Sequence, residues 1–213
     1  MKKIEELWDV WTFRFSDRDK SIDKKDVIAR CSRLGPLVHE KLKGIPKPLS
    51  PRLSVAHWEM LRDYWRIPEI VQISVKSGEI DSERAAEVKK VGLFKYAVTV
   101  SDKIPFQDQF YIGCVAHEFA HIVLDCWGGE YALEKQSERD VDIASILLGS
   151  GYLQLLGARG DKSFSERVGY LSLYEKALAQ IYHHEACTEP HSLYIDDLPL
   201  PGRAAMRRVA FWK

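Results

Sequence analysis

Cysteine is scarce and scattered in this chain. Cys31, Cys114, Cys126 and Cys187 are the four present in 213 residues, and no two of them form a C-x-x-C pair. That excludes a disulfide framework of the kind that staples small secreted domains, and free thiols are expected. Charge of one sign is missing as well. The 31 basic residues are matched by 31 acidic ones, so no net field draws the chain to nucleic acid or to an anionic membrane. No run approaches about eighteen uncharged apolar residues, which argues against a membrane span. The opening MKKIEELWDVW sets acids directly after its lysines and does not read as a signal peptide. A cytoplasmic protein is the expectation. Internal repeats and low-complexity tracts are absent, and neither GLFKY nor GSGYLQLLG has the context of a phosphate-binding loop.

What is present centres on Ile112 to Cys126, IGCVAHEFAHIVLDC, where His117, Glu118 and His121 spell H-E-x-x-H. Residues four apart on a helix lie one above the other, so two imidazoles can face one point. Zinc takes imidazole nitrogen at about 2 Å, within reach of that step. Glu118 lies about 100° round from His117, poorly aimed as a ligand but near enough to act on a water beside the metal. Ile112, Val115, Ala116, Phe119, Ile122 and Val123 would bury the helix, and Gly128-Gly129 supply a left-handed exit.

A third ligand is expected downstream in SERDVDIASILLGSGY. Glu138 and Asp142 are again four apart, on a helix with Val141, Ala144, Leu147 and Leu148 on its apolar side and either Ser137 as its N-cap or an earlier start near Ala132. Glu138 would complete a His₂Glu set and leave the fourth zinc position open, as catalytic sites require. Asp142 is placed to accept the second ring N–H of a ligating histidine.

HEFAH, a short loop, then ERDVDIASILL resembles the ImmA/IrrE-type metallopeptidases, whose second motif runs Glu-x-x-Ala-Asn/Asp-x-Phe-Ala-x-x-Leu-Leu. Val141 stands here for the small Ala, Ala144-Ser145 for Phe-Ala, and no proline closes the motif. The likeness covers residues 94 to 150. It implies an α+β, mostly helical zincin-like domain with a small β-sheet beside the metal helix. It also implies zinc on His117, His121 and Glu138, with Glu118 as general base and a regulatory protein as substrate. Zincin sheets use an edge strand to bind substrate backbone, and by that resemblance YAVTV is the expected edge.

Elsewhere the chain reads as helices with two strands. Ile4, Leu7, Trp8 and Trp11 form a short amphipathic helix, and Val27, Ile28, Cys31, Leu34 and Val38 a second, which Gly35-Pro36 kinks or divides. KGIPKPLSPR, with three prolines, reads as a linker. The expected organisation is an N-terminal helical segment over 1–50, a metallopeptidase domain over 53–185 and a tail over 186–213 that packs on it. VAHWEMLRDYW is a helix with Trp58, Leu61 and Trp65 on one side. EIVQISV and KYAVTVSD read as strands, and SERAAEVKK between them as a short helix capped by Ser82. FSERVGYLSLYEKALAQIYHH reads as one long helix with Val168, Leu171, Tyr174 or Leu178, and Ile181 along one side.

His183, His184, Cys187 and His191 form a dense cluster near the C-terminus. A protonated histidine suits a helix C-terminus, one imidazole could stabilise an oxyanion at the zinc site, and a structural metal is a third possibility. Cys114, three residues before His117, reads as a small buried hydrophobe, with a redox latch on the zinc as its alternative. Two functions follow. One is an intracellular zinc metallopeptidase acting on a protein or peptide. The other is a catalytically silent binding or sensor module of the same fold, in a stress, toxin–antitoxin or phage-related system.

Overall fold

The computed structural model describes residues 23–50, 52, 58–80, 84–104, 109–156, 171–187, 194–198 and 200–211. The expected first helix with Trp8 and Trp11, and Val168, Ser82 and His191, lie outside them. The described residues form an α+β structure, mostly helical with one three-stranded sheet. None of these helices is long and apolar enough to cross a membrane.

Helix α1, Lys24–Leu42, starts at Asp23, whose carboxylate accepts the Asp26 N–H at 3.0 Å. Val27, Cys31, Leu34, Val38 and Leu42 recur every three or four residues and are buried as one stripe. Pro36 sits within this single helix without dividing it. Ile28 faces outward instead. The proline-rich stretch that follows is packed against the body: Pro46 and Pro48 are buried, and the Leu49 N–H donates to the Gly149 carbonyl at 2.7 Å. Helix α2, Trp58–Tyr64, turns its aromatic side inward. Trp58 and Trp65 meet the Phe119 ring edge-on at 5.8 and 6.5 Å, and the Trp65 indole N–H donates to the Leu148 carbonyl.

The sheet comprises β1, Gln72–Gly78, β2, Ala86–Gly92, and β3, Lys95–Ser101, in the order β1-β3-β2. Two expectations fail here. AEVKKVG is a strand, not a helix: only Leu93 and Phe94 separate it from β3, and antiparallel pairing with β3 overrides the helical preference of Ala, Glu and Lys. YAVTV is the central strand, not an edge, because β1 pairs with its other side in parallel. The edges are β1 and β2.

Helix α3, Gln109–Trp127, lies along the sheet. Tyr111, at its start, is 3.4 Å from Ser77 at the end of β1. Asp125, at its end, accepts from Lys90 of β2 and from the Tyr96 hydroxyl of β3. Helix α4, Glu138–Ser145, runs into a π-helical turn, Ile146–Ser150, and then α5, Gly151–Leu156. Gly149 takes φ +97°, and a Cβ there would collide with the Lys47 carbonyl oxygen, so only glycine lets the proline-rich stretch lie so close. Helix α6, Leu173–Cys187, begins later than its periodicity suggests. The Ser172 hydroxyl accepts the Glu175 N–H at 3.3 Å, and Glu175 accepts the Ser172 N–H at 2.8 Å, a capping box that starts the helix there. Helix α7, Leu200–Phe211, buries Ala205 and Met206, and its Arg208 bonds the Tyr174 hydroxyl of α6.

Residues from α1, the sheet, α3 and α6 share one apolar core. A chain beginning at Leu53 removes the buried stripe of α1 and opens that core. It is expected to lose its cooperative thermal transition in near-ultraviolet circular dichroism. A sharp transition in that shorter chain would show residues 1–50 to be a separable arm.

Candidate metal centre

His117 and His121 come from one face of α3, and Glu138 comes from the first position of α4. One carboxylate oxygen, Glu138 Oε2, lies 3.3 Å from His117 Nε2 and 3.3 Å from His121 Nε2. One donor atom from each of the three residues falls within 4.8 Å of the others. Four ligands at about 2.0–2.1 Å from a central ion stand about 3.3–3.4 Å apart in a tetrahedron. The two imidazole-to-carboxylate spacings match that edge. The donor set could therefore hold a metal ion, and two nitrogens with one oxygen suit zinc.

The other ring nitrogens are turned to partners. His117 Nδ1 lies 2.9 Å from Asp142 Oδ1, and His121 Nδ1 lies 2.6 Å from Gln136 Oε1. Both imidazoles thus present Nε2 to the same point. Asp142 is fully buried, and its other oxygen accepts the Leu171 N–H at 2.9 Å. Gln136 is held in turn by the His121 carbonyl at 3.0 Å and the Tyr131 carbonyl at 2.7 Å. Sequence reasoning missed Gln136. It lies in the irregular connection before α4, where no periodicity marks it, and its only signal is that it precedes Glu138 by two.

Burial disfavours charge on His117, but the Asp142 and Glu138 carboxylates outweigh this and push the imidazole up to about 10. Burial likewise opposes ionised Glu138, yet His117 and His121 hold its carboxyl well below the usual range. For Asp142 burial is again outweighed, first by the charge of Lys176 and then by His117. Glu118 goes the other way. It is buried on the sheet-facing side of α3, in line with Tyr111 and Asp125, and burial raises its carboxyl, opposed by His117, His121 and Arg84. A cavity of about 330 Å³ has Leu124, Tyr131, Gln136 and Asp140 in its wall, and none of His117, Glu118, His121 and Glu138 lines it.

Among the described residues, Cys114 is buried but is not one of the convergent donors, and neither are the C-terminal histidines. His183 and His184 are fully buried on α6, so they do not form a solvated helix end. His184 Nε2 is hydrogen-bonded to the Tyr152 hydroxyl at 2.9 Å and lies 3.0 Å from Gln180 Nε2. Burial, helped by His184 and His39, pushes His183 down to about 4. Comparisons with protein-family models, with curated proteins and with solved structures found no match for this chain.

Removing Gln136 frees the His121 ring to turn. Gln136→Ala is expected to weaken zinc binding by about 10- to 100-fold in a chelator competition, and Asp142→Ala by a similar factor. Unchanged affinity in both would show that the rings need no outside support.

His183 binds a proton less readily in the folded chain than in the unfolded one, where a histidine pKa is about 6.5. Between about 4 and that value the unfolded state holds more protons, so stability rises with pH and is lost on acidification. His183→Leu should flatten this loss between pH 6.5 and 4.5, by about 2 kcal/mol in urea unfolding. Parallel curves for the two proteins would place the acid sensitivity elsewhere.

Proposed function

We propose that the chain is a zinc metallopeptidase of the ImmA/IrrE type, with a zincin-like fold, acting inside the cell on a regulatory protein. The observation that supports this best is the shared 3.3 Å spacing of Glu138 Oε2 from two Nε2 atoms, beside a buried and unligated Glu118. His117, His121 and Glu138 would hold the ion. When bound, zinc supplies Lewis acidity for a carbonyl and makes water acidic enough to serve at neutral pH.

The remaining chemistry belongs to the chain. Glu118 is not needed as a ligand, and burial raises its carboxyl, the direction that makes a carboxylate a better base. It takes the proton from the attacking water and hands it to the amine as the peptide bond breaks. One water is consumed and one acid and one amine are formed, so no oxidant or further reactant is required. Asp142 and Gln136 keep the imidazoles in the tautomer that points Nε2 inward.

Peptide would enter along β2. This strand is an edge, it packs beside α3, and Arg84 just before it acts electrostatically on Glu118. A substrate strand paired there would pass close to Glu118.

Glu118→Gln tests the reading. The amide keeps the shape but cannot accept the proton, so zinc content should be unchanged. Cleavage should fall by at least ~10²-fold, the scale of a lost general base. New protein N-termini mapped across the proteome, in cells carrying either form under several stresses, would display the difference. Zinc retained with identical N-termini in both would favour a silent binding or sensor module.

A further inference from the structure

Glu138 is the least sheltered of the three convergent donors, and it opens α4, where a helix frays. Ser137 precedes it as N-cap but makes no side-chain capping bond. The first turn is held from outside instead. Arg139 donates to Asp26 Oδ2 from Nε at 3.0 Å and from Nη2 at 2.8 Å, and to Glu175 Oε1 at 2.9 Å. Asp140 Oδ1 accepts from Arg30 Nη1 and from Arg33 Nη2, each at 2.6 Å. Both residues that follow Glu138 are therefore gripped twice. Asp26, Arg30 and Arg33 lie on one face of α1, and Arg30 is tied to Asp26 at 2.8 Å as well. Glu175 is itself fixed by the capping box of α6.

We propose that α1 is a positioning element for the metal centre, with Asp26, Arg30 and Arg33 holding the first turn of α4 so that Glu138 stays aimed at both imidazoles. This rests on the zinc reading above. Asp26 and Arg139 are 113 residues apart, so the contact cannot arise from local chain stiffness. An isolated exposed ion pair contributes little to stability. Its effect on geometry is a separate matter, because a ligand displaced by about 0.5 Å no longer fits its site. Four such contacts on two adjacent residues restrain the backbone that carries the Glu138 side chain, and His117 and His121 need no such help inside α3.

The test is zinc affinity of the full chain, measured by competition with a chromophoric chelator. Asp26→Ala with Asp140→Ala should weaken zinc about tenfold when Glu138 is present, at the lower end of outer-shell losses. In a Glu138→Ala background the same pair should cause no further loss, because the residue they position is gone. An equal loss in both backgrounds would mean general loosening and would overturn the proposal, as would no loss in either. Asp140→Asn, a milder change, guards against misfolding and should show a smaller loss with the same dependence on Glu138. A wild-type chain that binds no zinc would instead sink the metal reading itself.

Discussion

Placing ionisable groups inside an apolar helix is the constraint that the surrounding structure answers. His117, Glu118 and His121 occupy α3, whose stretch from Tyr111 to Leu124 is buried throughout. A charge left without partners there costs several kcal/mol. These rings are met from outside α3, not by its own backbone. Partners must arrive from other elements, and each imidazole receives one at Nδ1: a carboxylate from α4 and an amide from the connection before it. Much of the path between residues 125 and 156 follows from delivering them.

That path is short, and it is pinned. Gly128 and Gly129 both adopt positive φ, at 72° and 66°, and reverse the chain where α3 ends. Asp125 accepts the Leu133 N–H at 2.9 Å, so the residue that ties α3 to the sheet also anchors the return. Gln136 and Glu138 then fall beside His121. After α4 the backbone must change direction again within the core, and the π-helical turn does this. Its freed polar groups are met locally: Ser150 Oγ donates to the Ser145 carbonyl at 2.6 Å and is bonded to Ser145 Oγ at 2.6 Å.

The legible parts were those written in local periodicity. His117 with His121, and Glu138 with Asp142, could be placed because a four-residue step has one meaning on a helix. Tyr96, Val98 and Val100 alternate, and they are the buried face of β3. Ala86 to Gly92 misled because its composition favours helix while its pairing partner lies beyond a two-residue turn that lacks a strong turn signal. The centre of a sheet cannot be told from its edge by one strand's own residues, so YAVTV was placed on the wrong side of its neighbours. Ser172 and Glu175 did carry a readable capping signal, which apolar spacing running through it obscured. Gln136 and the contact of Asp26 with Arg139 had no periodicity to mark them. They are products of tertiary proximity.

Asp142 and Glu138, both held ionised, converge on imidazoles in a buried space, and that arrangement calls for a compensating cation. A proton on His117, driven up to about 10, can serve, and so can a metal ion. The two exclude each other, because a protonated imidazole has no lone pair to give. On the zinc reading, metal uptake would exchange one cation for another and would be linked to proton release. Small zinc domains that lack a core depend on the ion for folding itself. Here α1, α3, α6 and the sheet share one apolar core instead. The orientation of the donors then rests on contacts that the fold itself makes, Asp142 on His117 and Gln136 on His121.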